Sequence, residues 1–419
     1  MSRAIHAWLQ VHLGAHVDLL TGYPFKSAQY TDTPDDIMLL RGDNVAQGSL
    51  RWERAKRWPI GQTAEFEKYR LRAGDVILAM DRPWIPAGLK YAWIKRADRP
   101  SLLVQRVARM RGTNGLSTDY LRYLIGSPQF TDHVMSIITG VNVPHISARD
   151  IKAFRFRLPP VENQRRIAAI LSAYDDLIGN NTRRIAILEE MARRLYEEWF
   201  VHFRFPGHEG VKLVESEIGP VPEGWEISRL AELAEIVMGQ SPKSEFYNET
   251  GEGLPFHQGV TNFGDFFPTD RLYCTVENRI AESGDILFSV RAPVGRINIA
   301  TRKMVIGRGL SAIRSKSSHQ TFLLCQLRSK FSEEDMMGGG TIFKAVTKKD
   351  MHDVQMVTPR DDHVGRFEGI AVPMWSLIKT LTEKNTNLRV QRALLLPKLI
   401  SGEIDVCGIG EPIAEVAAE

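Results

Sequence analysis

"NTRRIAILEEMARRLYEEWF", residues 181–200, lies near the middle of a 419-residue chain. Its apolar residues return at steps of three and four, the spacing of a long helix with one apolar stripe. Followed both ways, the stripe runs Ile167, Leu171, Tyr174, Ile178, Asn181, Ile185, Leu188, Ala192, Leu195, Trp199. That strict four-three alternation is the 3.5-residue repeat of helices that wind on a partner. Adding 200 to each number gives Phe367, Ala371, Met374, Ile378, Leu381, Asn385, Leu388, Arg392, Leu395 and Leu399, a poorer stripe interrupted by Asn385 and Arg392. Two seams in one chain predict two helices that bury each other, running antiparallel if the segments before them are to sit at opposite ends. Asn181 and Asn385 are candidates for fixing register. Roughly 35–40 residues at 1.5 Å each span about 50–60 Å. Pro373 interrupts the second stripe and leaves two starts open for this helix, one at 361 and one at the proline itself in the first turn, with residues 363–372 then a separate piece.

The rest of the chain is also doubled. "HAWLQVHLGAHVDLLTGYPFKSAQY" from His6 matches "EGWEISRLAELAEIVMGQSPKSEFY" from Glu223, pairing Trp8 with Trp225, Gly22 with Gly239, Lys26 with Lys243 and Tyr30 with Tyr247. "AGDVILAMDRP" (residues 73–83) matches "SGDILFSVRAP" (283–293), and "GVNVPHISARDIKAFRFRLP" (140–159) matches "GTIFKAVTKKDMHDVQMVTP" (340–359). Three blocks in one order mean duplication. The apolar runs 76–80 and 286–290 read as buried strands entered through a tight turn. Ser147 with Asp150, and Thr347 with Asp350, read as capping boxes that start short helices. Strands stopped by proline follow at 154–160 and 354–359. The expected class is α+β: mixed α/β globules at 1–160 and 206–360, long helices at 161–205 and 361–403, and a flexible tail at 404–419.

Hydrophobic content of 43% with 25% charged residues is ordinary for a globular protein. No run approaches the roughly 18 apolar residues of a membrane span, and the first residues lack a signal-peptide core, so a cytoplasmic protein is expected. Cys274, Cys325 and Cys407 are far apart and suggest neither a disulfide framework nor a zinc site. Net charge is only +4, but residues 1–150 carry 20 bases against 14 acids. From 286 to 332 there is no acid and there are nine bases: Arg291, Arg296, Arg302, Lys303, Arg308, Arg314, Lys316, Arg328 and Lys330. A basic surface of that kind suits phosphate contacts.

Catalytic signatures are missing. There is no phosphate-cradling Gly-x-x-x-x-Gly-Lys loop and no Gly-x-Gly-x-x-Gly. The Gly338-Gly339-Gly340 run reads as a hinge. The Asn/Asp-Pro-Pro-aromatic and Pro-Cys motifs that hold a flipped base in DNA methyltransferases are absent. No lysine has Glu or Gln two residues before it, and the eleven histidines show no ligand spacing, so neither catalytic residues nor a metal site is expected.

Together, "PPVENQRRIAAILSAYDDLI", "LYEEWFVHFRF", "VPEGWEISRLAELAEIVMGQSP" and "LLLPKLISGEI" resemble the specificity subunit of type I restriction–modification enzymes, over nearly the whole chain. "PRDDHVGRFEGIAVPMW" departs from the family's usual Pro-x-x-x-Gln-x-x-Ile helix start. The resemblance implies a non-catalytic, cytoplasmic protein of phage defence. Two target recognition domains would read a split, asymmetric DNA sequence, spaced by an antiparallel coiled coil with pseudo-twofold symmetry. It also implies two modification subunits carrying S-adenosylmethionine for DNA methylation, and restriction subunits using ATP and Mg, with no cofactor on this chain. A stand-alone DNA-binding regulator of the same architecture is the alternative. A methyltransferase with fused recognition domains would need the missing motifs, and a purely structural scaffold leaves the basic window without a purpose.

Candidate DNA contacts in the first domain are Lys26, Tyr30, Arg41, Asn44, Arg51 and Arg54, the last two within "RWERAKRW". In the second they are Lys243, Tyr247, Gln258, Asn262 and Arg291. Arg suits guanine edges and Asn or Gln suits adenine edges. Trp8 and Trp225 are expected in the core.

Overall fold

The computed structural model describes residues 8–138, 144–332 and 345–408. The chain forms two compact units, one of residues 1–180 with 384–419 and one of residues 181–383. Each therefore takes in a globule and half of each long helix, where the sequence reading set globules and helices apart.

In the first unit the run at Val76–Ala79 is buried at every residue. It lies inside an antiparallel sheet ordered Val17–Thr21, Val107–Gly112, Val76–Ala79, Tyr91–Trp93. Alternate side chains enter different cores: Val76 and Leu78 pack with Tyr120 and Leu124 of the helix Thr118–Ile125, and Ile77 and Ala79 pack with Leu40 and Leu103. A strand covered on both faces has no polar alternation, which is why it reads as a continuous apolar run. A second sheet sets Ile37–Leu40 between Arg57–Trp58, antiparallel, and Ser101–Leu103, parallel. Leu9–His12 and Arg155–Leu158 close the globule as an antiparallel pair.

The second unit repeats this plan. Its sheet is ordered Ala234–Met238, Leu310–Ser315, Ile286–Ser289, Ile297–Ile299. Ile286 and Phe288 enter one core and Leu287 another. Leu254–His257 pairs in parallel with Met304–Ile306, and Glu226–Arg229 closes on Gln355–Thr358. Both capping boxes are formed: Asp150 N donates to Ser147 Oγ and Asp350 N to Thr347 Oγ1, each at 3.2 Å. Trp225 is buried against Phe205, and Trp8 is half-buried against the first core.

The first long helix spans Val161–Tyr196 and widens into a π-type turn over Glu197–Val201. The second spans Asp361–Ser401 without a break. This excludes Pro373 as the helix start. Pro373 and Gly369, four residues earlier, both face solvent, so water takes the place of the lost backbone donor. No expected seam residue is exposed. In the first unit Ile167 and Leu171 share a core with Leu396, Leu399 and Ile400. There Asn385, buried, donates to Ile178 O at 3.4 Å, Arg392 meets Asp175, and Arg166 donates to Cys407 O at 3.3 Å. These contacts step in opposite directions along the two segments, which are therefore antiparallel. In the second unit Tyr196 and Trp199 pack edge-on against Phe367, and Ala192 joins Ala371 and Ile378 in one core. Ile404 and Val406 also pack into the first core, so the expected flexible tail does not begin at residue 404. The Gly338-Gly339-Gly340 run and residues 409–419 lie outside the described residues.

Among the described residues no helix is long and apolar enough to cross a membrane. None of the described His, Cys, Asp and Glu residues gather in threes fit to hold a metal ion.

Candidate nucleic-acid interface

A short loop at the same place in each unit is built by glycine and braced by tyrosine. Gly22 N donates to Val107 O at 3.1 Å and Tyr23 N to Leu103 O at 3.0 Å. A Cβ on Gly22 would lie 2.1 Å from Val104 O. In the second unit Gly239 N donates to Leu310 O at 2.9 Å, and a Cβ there would lie 2.2 Å from Gly307 O. Only glycine allows strand and loop to approach so closely. The chain then makes a 3-10 turn, Ser27–Gln29 or Ser244–Phe246, and doubles back on itself. Tyr30 OH donates to Phe25 O at 3.3 Å and Tyr247 OH to Pro242 O at 2.7 Å. Both tyrosines are half-buried and brace the loop. Lys26 and Lys243, just before each turn, are exposed, and Lys243 lies 3.7 Å from Glu245.

Basic groups of the first unit gather where the buried strand ends. Arg51 and Arg54 are exposed and make no ion pair among the described residues. Arg41 lies 3.4 Å from Asp43. Lys90 is half-buried, and burial lowers its ammonium pKa; Asp43 and Asp81 oppose that effect, while Arg51 and Arg82 add to it. Those four side chains are thus each within electrostatic reach of Lys90. Asp81 accepts from Arg106 at 2.7 Å and lies 2.6 Å from His145 Nδ1. Although its burial works the other way, these bonds hold the Asp81 carboxyl below its ordinary pKa. Asn44 is removed from the candidates. It is 4% exposed, its Oδ1 accepts from Arg41 N and its Nδ2 donates to Arg51 O, both at 3.0 Å. Its amide shapes the turn that displays the arginines, and its burial keeps it from a base edge.

The second unit puts a different charge in the same place. Asp81 bridges His145 as Arg291 bridges Ala345, and Met80 N donates to Arg106 O as Val290 N donates to Gly309 O. Arg291 therefore stands where the first unit has Asp81, exposed and without an ion pair among the described residues. Beside it, Gly309 N donates to Gln258 O at 3.0 Å and Arg308 N to Ser241 Oγ at 3.3 Å. Arg291, Arg308 and Gln258 are brought together beside the loop of Lys243 and Tyr247. Asn262 ends the 3-10 turn Val260–Asn262, half-buried, its carbonyl accepting from Thr269 N at 2.8 Å.

A model of the type I restriction modification DNA specificity domain matches residues 17–190 and again 222–365. The chain belongs to this family. A protein of Methanocaldococcus jannaschii named for the specificity subunit of the type I restriction enzyme MjaX is 35% identical over 271 residues, which are 64% of this chain and 63% of that protein. The MjaIX specificity subunit of the same organism is 26% identical over 327 residues, 75% of each chain. The crystal structure of a type I restriction-modification S subunit from M. genitalium shares the fold, with a TM-score of 0.62 at 14% identity, over 94% of this chain and 96% of that one.

For this specificity-family chain, much of the positive charge of the acid-free window is offset by acids from outside it. Four of its nine bases meet acids from outside it: Arg302 with Asp270, Lys303 with Glu277, Arg314 with Asp285 and Arg328 with Glu189. Lys316 Nζ donates to Ala231 O at 2.6 Å. Arg291 and Arg308 are exposed and have no ion pair among the described residues, and Lys330 is half-buried. Arg308 was counted in the window but was not among the candidate contacts, although it sits between two glycines. Arg82 and Lys90 were missing from the candidates as well. Arg82 lies inside the "MDRP" end of a repeat block, which was the available signal.

Proposed function

We propose that each unit reads one half of a split, asymmetric DNA target, and that the chain addresses a type I restriction–modification complex. The observation that carries this is the recurrence of one displayed set in both units of a specificity-family chain. A glycine-pinned loop with an exposed lysine stands beside the end of a buried strand that carries unlike charged residues, Asp81 with Arg82 and Lys90 in one unit and Arg291 with Arg308 in the other. Loops of this size fit a major groove, where all four base pairs are distinguishable, while neighbouring bases hold phosphates. Lys26, Arg41, Arg51, Arg54, Lys243, Gln258, Asn262 and Arg291 are the proposed contacts, with Tyr30 and Tyr247 as braces.

In this reading the long helices form a pseudo-twofold coiled coil that sets the gap between half-sites. Leu177, Ile187 and Met191 on the first and Val390 and Leu394 on the second are exposed apolar residues on otherwise polar faces. They suit docking of two modification subunits. Those subunits would bring S-adenosylmethionine, and restriction subunits ATP and Mg, in the cytoplasm.

The test is methylation mapping by single-molecule sequencing in cells that express this chain with its neighbouring methyltransferase, and in cells lacking it. A split motif that vanishes with the chain is expected; unchanged methylation would leave a stand-alone regulator as the better reading. Removing a matched heptad from both helices should change the gap and neither half-site, and an unchanged gap would sink the ruler. Arg291→Ala should cost about 1–3 kcal/mol at the second half-site alone. Equal loss at both half-sites, measured by anisotropy on duplexes mutated in one half, would count against that assignment.

A further inference from the structure

The two helices carry one seam twice, yet at one level the copies differ in kind. In the first unit that level is charged. Arg392 Nε lies 2.7 Å from Asp175 Oδ1, and Tyr123 OH donates to Asp175 Oδ2 at 2.9 Å. The Arg392 guanidinium also lies over the Tyr123 ring, 5.9 Å from its centroid. Both charged side chains are about four-fifths buried, at 19% and 22% exposure. Burial alone pushes the Asp175 carboxyl up, and Arg392 and Tyr123 oppose it. Two hundred residues away, the equivalent positions in the second unit hold Trp375 for Asp175 and Ala192 for Arg392. That level is apolar: both residues are buried in one core. The indole face is already occupied, because Arg328 lies 5.4 Å from the Trp375 ring and is held there by Glu189.

We propose that Asp175, Ala192, Trp375 and Arg392 are a pairing code: the first half of the chain pairs with the second and refuses another copy of itself. The inference rests on the reading of the helices as a paired ruler. In a pair of first halves, each Asp175 would lie buried opposite Ala192, keeping Tyr123 and the charge of Arg122 but losing its ion pair with Arg392, and removing one partner of a buried pair is the costly case. In a pair of second halves, Arg392 would lose its carboxylate and Arg328 would lose Glu189, which belongs to the first half, so two guanidiniums without their carboxylates would meet at one indole. Only unlike halves give Arg392 and Arg328 their carboxylates and Trp375 its alanine. A fresh duplication has identical halves, for which like and unlike pairing are equivalent. Divergence at this level removes the like pairs, keeps two different readers on one pair of helices and makes the target asymmetric.

The full chain tests this if a protease site is placed in the exposed segment 209–215 and cut after purification. Cut protein with an affinity tag on the first fragment is mixed with cut, untagged protein and left to exchange in mild urea. The tagged first fragment should recover untagged second fragment and less than a tenth as much untagged first fragment. Asp175→Trp with Arg392→Ala rewrites the first unit's level as Trp opposite Ala, which keeps the native pair compatible and makes first halves compatible with each other. Recovery of untagged first fragment should then rise at least tenfold. Like and unlike exchange of equal extent in the unaltered chain would overturn the code, as would a double variant that exchanges like the parent. Fragments that separate on cutting and bind no partner of either kind would overturn the paired-helix reading itself, and the code with it.

Discussion

Gly239→Ala should abolish reading of one DNA half-site and leave the other intact, and Gly22→Ala should do the reverse. The added methyl would lie 2.2 Å from Gly307 O and 2.8 Å from Leu310 O in one unit, and 2.1 Å from Val104 O in the other. These are backbone atoms of strand ends that the sheet holds in place, so no side chain can swing aside. Relief has to come from the loop, which would give up Gly239 N to Leu310 O and Gln240 N to Ile306 O. Overpacking against a fixed core costs about 1–3 kcal/mol, and the lost hydrogen bonds add about 1 kcal/mol each. The loop that moves is the one that displays Lys243 beside Gln258 and Arg308. The expected result is a hundredfold or greater loss of affinity for a duplex keeping only the second half-site, with the first half-site unaffected. Undiminished binding by Gly239→Ala would show that close approach of loop and strand is dispensable for reading.

The long helices, the duplication and the capping boxes were legible because each depends on residues within two helical turns, or on a copy of the same residues elsewhere. The 3.5-residue seam survives even where Asn385 and Arg392 interrupt it, since a polar side chain can stay buried if a partner is supplied. That partner was the invisible part: Asp175 lies far from Arg392 in sequence, and nothing local announces the pair. The acid-free window was legible only in part for the same reason. It contains no acid between 286 and 332, yet Asp270, Glu277, Asp285 and Glu189 come to it from outside. Charge counted along the chain is not charge on a surface. Asn44 shows the converse, a residue of base-reading type whose amide is used up by a turn. Pro373 left the helix start open because its cost depends on whether the Gly369 carbonyl faces water, which is a matter of tertiary placement. Gly22 and Gly239 stood out as a repeat pair, but the carbonyls that require glycine belong to strands about seventy to eighty residues further on.

The other large effect is expected at the Gly-Asp that opens each buried strand. Gly74 and Gly284 have φ of +91° and +93°, the left-handed turn that the sequence predicts. The aspartates after them do more than turn the chain. Asp75 is 2% exposed; its Oδ2 accepts from Arg72 N at 2.8 Å and from Arg111 Nη2 at 2.9 Å, while Oδ1 takes Arg111 Nε. Asp285 repeats this with Glu282 N at 2.8 Å and Arg314 at 2.7 and 2.8 Å. Each carboxylate thus ties a turn to the neighbouring strand of its sheet, and its hydrogen bonds raise the pKa of Arg111 and of Arg314. Breaking a buried pair by removing one partner costs about 3–5 kcal/mol. The arginines are only partly covered, at 32% and 43% exposure, so water recovers part of that. Asp75→Ala should therefore lose about 2–3 kcal/mol in urea unfolding of its unit, and Asp285→Ala somewhat less because Arg314 is the more exposed cation. Asp75→Asn should lose less than Asp75→Ala, since an amide oxygen still accepts from Arg72 N. Arg111→Met should lose more than Asp75→Ala, because it strands the more deeply buried charge. The double change Asp75→Ala with Arg111→Met should then cost less than the two single losses added together, the sign of a direct pair. Simple additivity, or a loss under about 1 kcal/mol for Asp75→Ala, would mean that the turn stands on its glycine and the strand on its apolar faces, with the ion pair as a passenger.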